Sequence, residues 1–175
     1  STYLYEGTGS AQTITNGIDL DGEGGMVWIK NRDSAQHNIL HDTNRGVGKR
    51  LISNGTYSEG YDSEYITSFN SGGFSIGTYY TINTSGDNYT SWTFRKAPRF
   101  FDVVTYTGDG NAVQYVNHDL GVAPGMVIVK ALATQNDNDA NQWWVGHRSI
   151  STTGLLLNSS AGSNGAERVG SNSVN

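Results

Sequence analysis

The sequence predicts an all-β protein made of tandem β-sandwich units, the second of them incomplete. Three observations lead there. Turn residues punctuate the 175-residue chain at short, regular intervals and leave only brief apolar or β-branched runs between them. The composition, with 23 glycines, two prolines and 15% charged residues, suits strands and turns better than helices. Finally, the run Gly25-Met26-Val27-Trp28-Ile29-Lys30 returns as Gly125-Met126-Val127-Ile128-Val129-Lys130. In a strand, Val27 and Ile29 point one way and Met26 and Trp28 the other, so both faces need cover.

The first unit, 1–97, reads as strands over Thr2–Tyr5, Ala11–Thr15, Gly25–Asn31, Asn38–His41, Lys49–Ser53, Tyr65–Phe69, Gly73–Ile76 and Tyr89–Phe94. Between them lie Thr8-Gly9-Ser10, Gly22-Glu23-Gly24, Asn54-Gly55, Asn70-Ser71-Gly72-Gly73 and Ser85-Gly86-Asp87, each a turn signal. Alternation along Tyr89–Phe94 places Trp92 and Phe94 inward. No amphipathic helix of normal length is expected. Many short strands with frequent turns point to a sandwich or barrel.

Arg95-Lys96-Ala97-Pro98-Arg99 marks the junction, charged and holding one of the two prolines. The second unit, 98–175, opens with a strand over Phe100–Tyr106 and continues through Gly125–Lys130, Gln142–His147 and Gly154–Asn158. The repeat is longer than its central strand. Tyr5-Glu6-Gly7-Thr8-Gly9 returns as Tyr106-Thr107-Gly108-Asp109-Gly110, and Asp19-Leu20 returns as Asp119-Leu120. A period on the order of 100 residues is domain-sized, too long for a solenoid turn. Asn158 lines up with Asn54, and the residues after it reach only the equivalent of Ser71. Counterparts of Gly73–Ile76 and Tyr89–Phe94 are therefore missing. The expectation is an open β-edge, covered by a neighbour or continued in a longer protein.

The totals narrow the partners. A net charge of −5 argues against nucleic acid, whose phosphates call for a basic face. No stretch reaches the roughly 18 consecutive apolar residues of a membrane helix, so membrane insertion is not expected. Without cysteine there is neither a disulfide framework nor a thiolate zinc site. The chain opens at Ser1 with no charged-then-apolar leader, which reads as a processed chain or a piece of a longer one.

Candidate chemistry is sparse. Arg45-Gly46-Val47-Gly48-Lys49-Arg50 lacks the first glycine and the closing Ser or Thr of a phosphate loop, and reads as a turn into a strand. His41-Asp42 and His147-Arg148 hold comparable places in the two units. No nucleophile elbow accompanies either pair, and a packing histidine is expected. Acidic residues gather at Asp19/Asp21/Glu23, at Glu59/Asp62/Glu64 and at Asp137/Asp139. All three read as solvated loops, with Asp137 and Asp139 the weak calcium candidates. No catalytic residue, metal or cofactor is expected. Tyr57, Tyr61, Tyr65, Tyr79 and Tyr80 form a dense aromatic stretch beside polar residues, suited to stacking on sugars, to a subunit interface or to the core. Trp143 and Trp144 are adjacent, so in a strand they cannot share one core. One of them packs against another layer, domain or subunit.

Several stretches together form one pattern. They are Gly25–Arg32, His41–Lys49, Gly73-Phe74-Ser75-Ile76-Gly77 and Trp92-Thr93-Phe94-Arg95-Lys96, then His118–Met126 and Trp144–Ser149 in the second unit. The pattern resembles the repeated β-domains of tail-fibre and other virion appendage proteins of tailed bacteriophages, marine and cyanobacterial ones especially. The resemblance covers nearly the whole chain and implies tandem sandwiches, some of them concanavalin-like or of jelly-roll type. It implies a structural or adhesive, non-enzymatic role on the virion surface, among other virion proteins and copies of the chain itself. Function would then rest on multivalent display toward a host. The alternatives are a lectin-like module for host surface polysaccharide, with the glycan held by the Tyr57–Tyr80 region, and a polysaccharide depolymerase. A depolymerase needs two carboxylates opposed across a groove, with Glu59, Asp62 and Glu64 the residues to examine.

Overall fold

The structure, a computed structural model, describes residues 1–133 and 141–160. It is all-β and sandwich-like. Twelve strands are present among the described residues: β1 (Thr2–Glu6), β2 (Gln12–Thr15), β3 (Gly25–Asn31), β4 (Ile39–Asp42), β5 (Lys49–Ile52), β6 (Gly60–Tyr61), β7 (Ile66–Asn70), β8 (Gly73–Ile76), β9 (Asn88–Arg95), β10 (Met126–Lys130), β11 (Trp143–His147) and β12 (Ile150–Leu156). The helical turn α1 (Tyr80–Asn83) sits between β8 and β9. All pairings between strands are antiparallel.

A six-stranded sheet in the order β1-β9-β3-β4-β5-β6 faces a three-stranded sheet in the order β2-β8-β7. Between them lies a core drawn from both: Tyr5, Val27, Ile29, Ile39, Ile52 and Tyr89 from the larger sheet, Ile14, Ile66, Phe74 and Ile76 from the smaller. Tyr5 and Tyr89 stack with ring centroids 5.1 Å apart, and the Tyr5 hydroxyl donates to the Ile82 carbonyl at 2.8 Å. Polar groups that enter this core are bonded. Asn83, fully buried, accepts from the Thr8 amide and Gln12 Nε2 and donates to the Ser10 and Gly77 carbonyls, all within 2.7–2.9 Å. One satisfied amide thus pins two loops to α1.

β3 alternates strictly. Val27, Ile29 and Asn31 are buried toward the sandwich, while Met26, Trp28 and Lys30 are half-buried on the outer face of the sheet. β9 alternates too, but in the sense opposite to expectation. Tyr89, Ser91 and Thr93 face the core, and Trp92 and Phe94 lie half-buried on the outer face. The reason is position. β9 pairs with β3 so that Trp92 stands opposite Trp28 and Phe94 opposite Met26, on the face turned away from the smaller sheet, and bulk alone does not mark the inner face.

The second stretch contributes a third sheet, the meander β10-β11-β12, which repeats much of the β3-β4-β5 register and departs from it at a shift between Val145 and His147. Met26 stands opposite Asp42 and Met126 opposite His147; Leu40 pairs with Leu51 as Val145 pairs with Leu155. The Thr43 amide donates to the Gly25 carbonyl at 3.0 Å, and the Arg148 amide to that of Gly125 at 3.0 Å. Lys30 Nζ bonds the carbonyl that follows it at 2.6 Å, and Lys130 Nζ does so at 2.7 Å. This register places His147 where Asp42 stands rather than His41, one residue off the sequence alignment and so on the other face.

The expected strand over Phe100–Tyr106 is absent, leaving a single bridge between Ala97 and Phe101. In the first unit its counterpart β1 is held in the sheet by β9 alone. Among the described residues no strand stands beside β10 where β9 stands beside β3, and a lone segment has no ladder to join.

Candidate functional site

The outer face of the six-stranded sheet carries an apolar row. Cross-strand register sets Trp92 against Trp28, Trp28 against Leu40 and Leu40 against Leu51, with Phe94 against Met26. Such a face needs cover, and the second meander covers half of it. Trp143 is 3% exposed, packs with Leu40 and Leu51, and draws in Met26 and Trp28 at its edge. Its Nε1 donates to the Ile52 carbonyl at 2.9 Å, so the polar end of the indole is satisfied where it is buried. Trp144, on the opposite face of β11, is half-buried.

The other half stays open as a groove of about 380 Å³, lined by Trp28, Lys30, Asn38, Trp92 and Phe94. Trp28 and Trp92 meet edge to face, centroids 6.0 Å apart, and Phe101 from the connecting segment closes on Phe94 at 5.4 Å. Trp28 Nε1 is bonded to Ser53 Oγ at 3.0 Å, which fixes the ring and leaves its apolar surface to the groove. Polar groups sit at the rim. Lys30 Nζ donates to the Asn31 carbonyl. Asn38 is held through its backbone by Asn54 Oδ1 and the Ser53 amide, while its own Oδ1 is buried with no hydrogen-bond partner. No lining residue is a carboxylate or a histidine, so the groove offers stacking and hydrogen bonding without an acid–base pair.

The tyrosine stretch does not form one site. Tyr65 is 2% exposed and belongs to the core, with Tyr79 packed against it. Tyr79 stacks on Tyr65 at 3.9 Å and on Tyr80 at 5.1 Å. Tyr57, Tyr61 and Tyr80 are exposed, and Tyr57 meets His37 edge to face at 5.4 Å. The nearby carboxylates are each engaged separately. Glu59 bridges Arg45 at 3.3 Å and Lys49 at 3.2 Å. Glu64 accepts from the Thr78 hydroxyl and amide, which hold its carboxyl below the usual range. Asp62 accepts the Glu64 amide, and Asp19 caps the Gly22 amide.

His41 and Asp42 lie on opposite faces of β4. His41 Nδ1 donates to the Lys49 carbonyl at 2.7 Å, and burial pushes its imidazole down to about 3, so it is neutral. Asp42 pairs with Arg45. The two side chains do not meet as a catalytic pair. Among the described residues no group of three or more His, Asp or Glu side chains converges on a metal-sized point. Asp137 and Asp139 lie outside the described residues.

The groove residues were not assembled by the sequence. The available signal was that β3 is apolar on both faces; what was missing was that Trp92 and Phe94 lie beside its outer one.

Fold and site together define an all-β, sandwich-like chain with an aromatic groove on its surface. A family model described as "Domain of unknown function (DUF7483)" matches residues 1–174 and spans both meanders; the chain belongs to that family. No curated protein and no solved structure matches it.

Proposed function

We propose that the chain is a binding module of a virion appendage, of the tail-fibre kind it resembles, without enzymatic activity of its own. It works by multivalent display on the particle surface among other virion proteins and further copies of itself. Its contact with the host is carbohydrate, held in the groove of Trp28, Trp92 and Phe94. The groove is the observation that carries this reading. An aromatic floor offers a flat surface for the C–H face of a pyranose, and the Lys30 ammonium among the lining residues is placed to meet hydroxyls. Weak single sites become firm attachment when many act at once.

Binding of the purified chain to arrayed bacterial surface polysaccharides tests this. Trp92→Ala should abolish the signal, while the double substitution Tyr57→Ala/Tyr61→Ala should leave it. The reverse outcome would move the site to the exposed tyrosines, which supports the second reading of a glycan held there. Full retention in both variants removes both sites, and absence of binding by the unaltered chain removes the carbohydrate assignment.

A further inference from the structure

The aromatic groove carries one charged side chain. Of the residues that line it, Trp28, Lys30, Asn38, Trp92 and Phe94, Lys30 alone is ionised. Register fixes where it stands. Trp28 is opposite Trp92 and Lys30 opposite Thr90, with Trp28 and Lys30 both half-buried on the outer face of the sheet. Lys30 is therefore one same-face step, about 7 Å along the strand, from the indole pair. A sugar ring seated on the indoles carries its substituents toward that ammonium.

The charge on Lys30 is not balanced within the fold. Its Nζ donates to the Asn31 carbonyl at 2.6 Å, which uses one of the three donors of an ammonium. Among the described residues no carboxylate pairs with it, whereas Lys49 is bridged to Glu59 at 3.2 Å and Lys96 to Asp102 at 2.9 Å. Carboxylates at neighbouring positions are held elsewhere. Asp42 pairs with Arg45. Asp33 accepts from the Asn88 amide and side chain at 2.6 and 2.9 Å, and Asp87 from Asn31 and Ser34 at 2.7 and 3.0 Å. The net charge of −5 belongs to the whole chain, and physiological salt screens it beyond about 8 Å. At contact range the ammonium decides.

We propose, on the carbohydrate reading of the groove given above, that the sugar it holds is acidic. A pyranose stacks on Trp28 and Trp92, and its carboxylate or phosphate substituent meets Lys30 Nζ. Stacking reads only the flat C–H face and accepts many sugars. A hydrogen bond from an ammonium to an anion is roughly twice as strong as one between neutral groups. The ion pair therefore supplies the selection among polymers that stack equally well.

Acidic bacterial polysaccharides, each arrayed beside its carboxyl-reduced or dephosphorylated counterpart, test this. The unaltered chain, titrated over the array, should hold the acidic member of a pair about tenfold more tightly. Which kind of pair separates shows whether the charge is carboxylate or phosphate. Lys30→Gln should bring the two members level, and Lys30→Arg should keep them apart; a urea midpoint near that of the unaltered chain shows each variant folded. Level binding by the unaltered chain, or a preference that survives in folded Lys30→Gln, overturns the proposal. So does signal confined to neutral polysaccharides, which leaves the carbohydrate reading in place. Absence of signal from every polysaccharide removes both.

Discussion

Asn158 Oδ1 accepts the backbone N–H of Trp143 at 2.9 Å. Asn54 Oδ1 accepts that of Asn38, also at 2.9 Å, and residues 38 and 143 hold the same place in the two meanders. The neighbouring bond repeats as well: the Ser53 amide donates to the Asn38 carbonyl and the Leu157 amide to that of Trp143, each at 3.0 Å. Each asparagine stitches the entry of its middle strand to the exit of the third.

Removing either cap should cost a similar amount. Asn54→Ala and Asn158→Ala each leave one backbone N–H without its acceptor, a loss of about 1 kcal/mol. Urea unfolding monitored by tryptophan fluorescence measures it. A loss confined to Asn54→Ala would show that the second meander adds nothing to the cooperative unit.

Trp143 holds the second meander to the sandwich. Trp143→Ala empties the pocket between Leu40 and Leu51 and leaves the Ile52 carbonyl unbonded, a cost of about 3–5 kcal/mol. Hydrogen exchange should show protection lost over β10–β12 and retained over β3 and β9. Trp143→Phe keeps most of the packing and should lose about 1–3 kcal/mol through the orphaned carbonyl.

The two matched glycines should respond differently to the same change. Gly25→Ala drives a methyl into the Phe94 carbonyl, 2.2 Å away, in a backbone conformation that L-residues rarely adopt. It should destabilise by several kcal/mol, on the order of other strained core changes. Gly125→Ala meets only the Arg148 side chain, at an ordinary contact distance of 3.7 Å, and should change the stability by less than about 0.5 kcal/mol.

His41 makes stability fall with acid. Its folded-state value of about 3 lies below the ordinary 6.5, with burial the main cause. As pH drops below 6.5 the unfolded chain takes up the proton first, so the contribution is complete above that value. It then declines by up to about 1.4 kcal/mol per pH unit until the folded form titrates near 3. His41→Gln removes this term. Denaturant midpoints of the wild type and the variant, compared between about pH 6.5 and pH 4, should converge as acid is added.

Much of the fold was legible because strands leave a period-two signature and turns have their own chemistry. Gly25–Asn31 and Gly73–Ile76 were placed to the residue. Most other ends moved by one or two positions, as at Lys49–Ile52 and Asn88–Arg95. The short strand Gly60–Tyr61 was invisible, because two residues carry no period. The groove was legible only in part. Trp28 declared a second apolar face on β3, yet Trp92 was assigned inward, since nothing local to β9 tells which of its faces meets the smaller sheet.

By itself the sequence determined the all-β class, the internal repeat, the double-faced apolar strand and the incompatibility of Trp143 and Trp144 with one core. These follow from side-chain alternation and turn residues, which act over a few positions. Only the tertiary structure decided that Trp143 covers half of the outer sheet face and leaves Trp28, Trp92 and Phe94 open. It also decided that Phe100–Tyr106 stays out of any sheet. Both depend on which strand lies alongside which, and a strand becomes a strand only when a neighbour takes up its backbone hydrogen bonds.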